Sequence, residues 1–232
     1  MRWPTRMNVE KAIEEYQKNE ITDLCRFFDN CGSDKGTSWH QYSRMYDALF
    51  DALRGEAFNL FELGIGTNNV EIESNMGAHG NPGASLYAWN KYFPKADLYG
   101  ADIDRECLFE HMQKRIQTFY CDQTDPESIA ALWLEEGLVG KKFKIIIEDG
   151  LHTPAANRCF LENSLHMLED GGIYIVEDID AKHVDEFNEL LQGWRQRFTG
   201  YTFWFLEIKT VGTEPADNWM VIVQKGLVAC PE

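Results

Sequence analysis

The stretch Phe58–Thr67, "FNLFELGIGT", limits the possible folds more than any other part of the chain. Phe58, Leu60, Phe61 and Leu63 form a mostly apolar run of strand length. It ends in Gly64 and Gly66, with the carboxylate of Glu62 just before them. A buried strand running into a glycine turn suits an open α/β sheet, where ligands bind beyond the carboxyl ends of the strands. Glycine is the residue for such a turn, because the chain must bend sharply and a ligand must approach the backbone.

The pattern repeats along the chain. Strands are expected at Asp97–Ile103, Ile116–Cys121, "FKIIIEDG" and Ile173–Asp178. The consecutive isoleucines 145–147 suit a strand buried on both faces. Helices fall between the strands. One carries Leu86, Tyr87, Trp89 and Tyr92 and stops at Pro94; a short polar one carries Cys107, Leu108 and Met112. Asp125 and Thr153 cap two more that start with Pro126 and Pro154, the second ended by Gly171 and Gly172. A helix near Asp185–Phe198 precedes two late strands, Tyr201–Ile208 and Trp219–Gln224, which can pair as a hairpin at the sheet edge. Upstream, Asn8 and Thr22 can cap two short helices, and a third runs from about Ser38 to Leu53. The expected architecture is α/β: a Rossmann-like, doubly wound, mostly parallel seven-stranded sheet over 57–232, with an N-terminal helical cap over 1–56. The glycine- and asparagine-rich segment Asn68–Gly83 is long for a strand-to-helix loop, which marks it as functional or mobile.

Charge narrows the partners. Asp plus Glu total 38 against 22 Lys plus Arg, a formal charge of −16, which argues against nucleic acid or an anionic membrane. No run approaches the roughly 18 apolar residues of a membrane span, and the N-terminus does not resemble a signal peptide. The six cysteines include no CxxC pair, a pattern of reduced thiols that suits the cytoplasm.

The strand ends hold the candidate chemistry. The Gly64–Gly66 turn and Asp102, at the end of the second strand, suit a nucleotide-type ligand whose ribose hydroxyls need a carboxylate. Alternatively, Glu62 and Asp102 satisfy loop amides. Asn69 stands where the third glycine of a dinucleotide fingerprint would be, which disfavours a nicotinamide-dependent oxidoreductase and leaves an adenosyl ligand open. Asp149 ends the fourth strand; Glu177 and Asp178 end the fifth. Converging carboxylates repel unless a cation neutralises them, and an all-oxygen set suits Mg²⁺ before Mn²⁺ or Ca²⁺. Adjacent strand residues point to opposite faces, so Glu177 and Asp178 can share an ion only if the chain leaves strand geometry there. The alternative is that one carboxylate caps a helix and another pairs with a lysine. His152, on the loop after Asp149, is placed to take a proton from a hydroxyl. His40, His79, His111, His166 and His183 lack that setting.

Taken together, "GSDKGTSWHQYSRMYDALF", "FELGIGT", "GASLYAWNKYFPKADLYGADID", "CDQTD", "IIIEDGLH" and "YIVEDI" resemble class I S-adenosylmethionine-dependent methyltransferases. The resemblance is closest to the metal-dependent sugar O-methyltransferases of macrolide biosynthesis. It implies a late antiparallel strand in the sheet. It implies that Glu62, Gly64, Gly66 and Asp102 bind S-adenosylmethionine, with Ser85 near its methionine end and Asp122 and Gln123 near its adenine. It implies Mg²⁺ on Asp149, Glu177 and Asp178, with His152 as general base. Lys35, His40 and Tyr42 become candidate contacts of a lid over cofactor and substrate. The acceptor implied is a sugar or a glycosylated small molecule, and the protein is expected to self-associate. A catechol-like acceptor with vicinal oxygens, or a non-catalytic adenosyl-binding module, are the rival readings.

Overall fold

A computed structural model describes residues 7–227. Three helices come first: α1 (Val9–Tyr16), α2 (Asp23–Cys31) and α3 (Ser43–Phe50). Asn8 and Thr22 cap the first two as expected, each accepting from a backbone N–H three residues on. The third begins later than expected. Residues 33–42 instead form an irregular segment in which Gln41 adopts a left-handed φ of 58°.

The sheet has eight strands: β1 (Asn59–Leu63), β2 (Asp97–Asp102), β3 (Glu110–His111), β4 (Ile116–Tyr120), β5 (Phe143–Glu148), β6 (Leu168–Ile179), β7 (Tyr201–Glu207) and β8 (Trp219–Lys225). Their order is β3-β4-β2-β1-β5-β6-β8-β7. Strands β4, β2, β1, β5 and β6 are parallel, and β8 runs antiparallel to both β6 and β7. The sheet is thus Rossmann-like and mostly parallel, with the antiparallel late strand in place. Its eighth strand, β3, is a two-residue edge piece paired to β4, in the region expected to be a polar helix. Two short 3₁₀ turns, Arg105–Cys107 and Met112–Lys114, flank it.

Four helices complete the layers: α4 (Ala84–Tyr92), α5 (Pro126–Leu132), α6 (Pro154–Ser164) and α7 (Val184–Arg197). Alternate residues of the central strands feed two cores. Leu60, Leu98, Ile145, Ile147 and Ile173 pack against α1–α4 around Trp89, Phe28 and Tyr46. Phe61, Leu63, Ile146, Tyr174 and Val176 pack against α5–α7 around Trp133, Phe160 and Trp194. This two-sided burial explains the unbroken apolar runs. Truncating the fully buried Trp89 to Ala would cost about 3–5 kcal/mol. The N-terminal helices share the first core with the sheet, so they pack as a layer of it.

Two departures from regular strands matter. Gly171 and Gly172, expected to end a helix, lie inside β6, where Gly171 has φ +73° and the β5–β6 register shifts. Glycine permits such a bulge at little cost. Further along, the β6–β8 register shifts between Val176 and Ile179, and Asp178 takes φ +52°. The chain therefore does leave strand geometry at Asp178. Among the described residues the cysteines are free thiols; Cys230 lies outside them. No helix among them is long and apolar enough to cross a membrane.

Candidate active site

Strand order reverses between β1 and β5, and the loops there open into a cavity of about 680 Å³. That lies within the usual range for small-molecule sites. The expected residues Gly64, Gly66, Ser85, Asp102, Asp122, Gln123, Asp149, His152 and Asp178 all line it, with Lys35. Glu62 and Glu177 are fully buried just behind the wall.

One wall is built from backbone. Gly64 has φ +80°, and a Cβ there would meet the Asp149 carbonyl oxygen at 1.8 Å. Its N–H donates to Ala101 O (2.8 Å), while Asp149 N–H donates to Leu63 O (2.9 Å). The turn is pinned between β2 and β5. Asp102 accepts from the N–H groups of Ile65 (3.1 Å), Gly66 (3.2 Å) and Asp104 (3.0 Å). It shapes the turn while lining the cavity. Burial raises its carboxyl above the ordinary value, and those amides oppose the rise. Glu62 behaves differently. Neither oxygen has a hydrogen-bond partner. Burial pushes its carboxyl up to about 7, with Lys35 opposing and Ser85 and Trp89 flanking it.

Segment 68–83 forms the roof. Met76 packs over Gly66, where a Cβ would meet its sulfur at 2.1 Å. Ser74 Oγ donates to Leu151 O (3.3 Å), and Asn68 Nδ2 donates to the carbonyls of Gly77 and Gly80. Its function as a wall was not assignable from sequence, because these contacts are made by small polar residues with no periodicity.

The opposite wall is charged. Lys35 Nζ donates to Asp149 Oδ2 and, at 2.6 Å, to Glu177 Oε2; the other Glu177 oxygen accepts from the Tyr46 hydroxyl. The sequence alternative of a lysine partner is thus realised for two of the three acids. Asp178 accepts from Tyr42 Oη (2.7 Å) and lies 3.6 Å from His40 Nδ1. Burial raises the Asp149 carboxyl to about 6 against the pull of Lys35, and it raises Glu177 well above the ordinary range. Asp178 is also pushed up by burial, but His152, His40, Lys35 and the Tyr42 hydroxyl together hold it below its ordinary value.

The segment carrying Lys35, His40 and Tyr42 is tied to the β7–β8 connection. His40 Nδ1 lies 2.9 Å from Asn218 Oδ1, and Asn218 Nδ2 donates to His40 O (3.2 Å). Gln41 binds both the N–H and the carbonyl of Val211 (3.0 Å each). His40 and Tyr42 are buried and stack at 5.1 Å, so of the three expected contacts only Lys35 faces the cavity.

His152 has φ +58°, its Nε2 is 3.9 Å from Asp149 Oδ1, and its buried Nδ1 has no partner. The loop bearing it is braced from below. Gln123 Oε1 accepts from Leu151 N–H (2.7 Å), and Gln123 Nε2 donates to Glu148 Oε1 (2.9 Å). Asn157 Nδ2 donates to both oxygens of Glu148, at 2.8 and 2.7 Å. Gln123, expected at the adenine end, thus spends its amide on the loop. Asp122 faces the cavity while its Oδ1 accepts from Thr124 N–H (2.9 Å).

Metal-binding capacity can be tested on the donor set. Ligand atoms of Asp149, His152 and Asp178 lie within 4.8 Å of one another, as do those of His40, Asp178 and Asp217. Two carboxylates converging beside a water-accessible cavity fit a hard divalent ion. Sequence reasoning missed Tyr46, Glu148, Asn157 and Asp217. Tyr46 read as a core position, and Glu148 sits on the face opposite Asp149 by strand alternation. Trp194, Trp204 and Trp219 pack in or against the core and leave the cavity unlined.

The chain matches no protein-family model. It is 32% identical over 161 residues to the L-olivosyl-oleandolide 3-O-methyltransferase of Streptomyces antibioticus, covering 69% of this chain and 38% of the relative. It is 28% identical over 181 residues to the 8-demethyl-8-alpha-L-rhamnosyl tetracenomycin-C 2'-O-methyltransferase of Streptomyces olivaceus, covering 77% and 43%. The chain spans about two fifths of the length of these curated relatives. Among solved structures, the MycE methyltransferase from the mycinamycin biosynthetic pathway, in complex with Mg, SAH and mycinamycin VI, aligns with a TM-score of 0.64 at 24% identity. That alignment covers 89% of this chain and 54% of the other. The chain therefore has the class I S-adenosylmethionine-dependent methyltransferase fold and is a relative of the sugar O-methyltransferases.

Proposed function

We propose that this protein is an S-adenosylmethionine- and Mg²⁺-dependent O-methyltransferase acting on a hydroxyl of a sugar or glycosylated small molecule. One observation carries the reading: a glycine turn with a terminal carboxylate and a set of metal-competent acids open into the same cavity. The names of the relatives support a sugar acceptor, and the Mg and SAH bound to MycE support the cofactors. The free thiols accord with a cytoplasmic setting.

When bound, S-adenosylmethionine supplies an electrophilic methyl group, and Mg²⁺ supplies a Lewis-acidic seat for acceptor oxygens. The chain's own residues do the rest. Gly64 and Gly66 let the nucleoside approach the backbone, and Asp102 is placed for the ribose hydroxyls. Ser85 would face the methionine end, with Glu62 buried behind the wall, and Asp122 and Gln123 would lie on the adenine side. Asp149 and Asp178, with Glu177 behind them, would hold the ion. His152 would take the proton of the acceptor hydroxyl. Fixing both reactants at near-attack distance can supply about 7–11 kcal/mol of the barrier.

The test is methyl transfer from labelled S-adenosylmethionine to a panel of glycosylated macrolides, free sugars and catechols, with Mg²⁺ or with a chelator. Mg²⁺-dependent labelling of a glycosylated acceptor is expected. Labelling confined to catechols would overturn the acceptor class, and chelator-resistant turnover would overturn the metal requirement.

A further inference from the structure

Lys35 holds Asp149, one of the carboxylates the proposed ion would take, together with Glu177 behind it. Its side chain is only 5% exposed, and its ammonium reaches Asp149 and Glu177 together. Both Glu177 oxygens are engaged, one by Lys35 and the other by Tyr46. Asp178 is held by different donors, Tyr42 and the nearby His40. An ammonium has three donors and no acceptor, so it cannot itself ligate a metal. A divalent ion and an ammonium sharing the Asp149 carboxylate would repel strongly in a site of low dielectric.

Resting on the metal-dependent reading above, we propose that Lys35 is a tethered counter-cation. It neutralises Asp149 and Glu177 while no divalent ion is bound, and it must leave them when one is. Ion binding is thereby coupled to the position of residues 33–42. The coupling has a route. The Lys35 carbonyl accepts from Ser43 N–H (2.9 Å) at the start of α3, and the Asp34 carbonyl accepts from His40 N–H (3.1 Å). His40 is in turn held by Asn218. Withdrawing the ammonium loosens the hold of this segment on Asp149 and Glu177, while the contacts of His40 and Tyr42 with Asp178 and the attachment to the β7–β8 connection stay.

Mn²⁺ titration followed by electron paramagnetic resonance tests this on the wild type, Lys35→Met and Lys35→Arg, alongside hydrogen exchange of residues 33–42 in the wild type. Lys35→Met, which keeps the unbranched apolar stem and removes the charged head, is expected to bind Mn²⁺ roughly tenfold tighter or more, within the usual range of coupling between sites. Lys35→Arg is expected to bind no tighter than the wild type. Exchange over 36–42 is expected to quicken when Mn²⁺ binds. Equal or weaker binding by Lys35→Met overturns the competition and leaves the metal reading standing. No Mn²⁺ binding by either the wild type or Lys35→Met overturns both. Should Lys35→Met fail to fold, wild-type exchange decides: quickening supports the coupling, and unchanged exchange overturns it.

Discussion

The two walls of the cavity are built by opposite means. The glycine wall is held by main-chain bonds between neighbouring strand ends, and its carboxylate, Asp102, is satisfied by three amides within the same two loops. The acid wall is held by side chains from segments far apart in sequence. Lys35, Tyr42 and Tyr46 reach Asp149, Glu177 and Asp178 across more than a hundred residues of chain. The first wall is preorganised by the backbone and can receive a ligand without rearrangement. The second balances buried charge, so whatever cation occupies it sets the positions of its neighbours. Cofactor affinity should therefore depend on local geometry, and ion affinity on charge.

Substitutions can separate the two. The largest effect is expected at the chemistry itself: His152→Ala should lower turnover roughly 100- to 10,000-fold. Affinity for S-adenosylhomocysteine, read by calorimetry, should stay near that of the wild type. Unchanged turnover would remove His152 from the role of base. Next, Asp149→Asn should weaken Mn²⁺ binding about 100-fold or more, since even residues behind a metal ligand cost 10- to 100-fold. Cofactor affinity should be spared, and a loss of both would show that the walls are one unit.

Glu62 lies between the two regimes. Its folded-state carboxyl titrates near 7 against an ordinary 4.5, because burial disfavours its charge. The folded protein therefore binds more protons than the unfolded chain between those values, and stability is lost as pH rises through that window. Glu62→Gln should abolish this loss, which is at most about 3 kcal/mol. Chemical denaturation at pH 4.5 and 7 reads it, and identical pH profiles for the two proteins would contradict the assignment. The smallest effect is expected for Asp102→Ala. It should weaken S-adenosylhomocysteine binding roughly tenfold, in keeping with the loss of a charged hydrogen bond, with Mn²⁺ affinity unaltered.

The same contrast governs what could be read from the chain. "FNLFELGIGT" is legible because one short stretch contains both the strand and the turn it requires. Periodicity and caps located the five parallel strands and the paired late strands. The β3 edge strand escaped because two residues cannot show a period. Gly171 and Gly172 were expected to stop a helix, yet the same permissive backbone serves a bulge in β6. The objection that Glu177 and Asp178 must face apart was sound for a regular strand. Asp178 leaves that geometry with a left-handed φ at a register shift and lies with Asp149 and His152, while Glu177 stays buried on Lys35 and Tyr46. Lys35 could be suspected as a contact but not as the ion partner of Asp149 and Glu177. That pairing depends on a loop whose path is set by Gly32, Gln41 and the β7–β8 connection. Gln123 shows the reverse: its position beside the cavity was foreseen, and its bonds to Leu151 and Glu148 were not.

The central claim is that a divalent ion and an adenosyl cofactor occupy opposite walls of one cavity. Anomalous diffraction from a crystal grown with Mn²⁺ and S-adenosylhomocysteine tests it most directly. The account predicts one strong peak bonded to Asp149 and Asp178, with the nucleoside against Gly64 and Asp102 and Lys35 withdrawn from Glu177. Density for the nucleoside with no peak between those acids, and Lys35 still bridging Asp149 and Glu177, would contradict it.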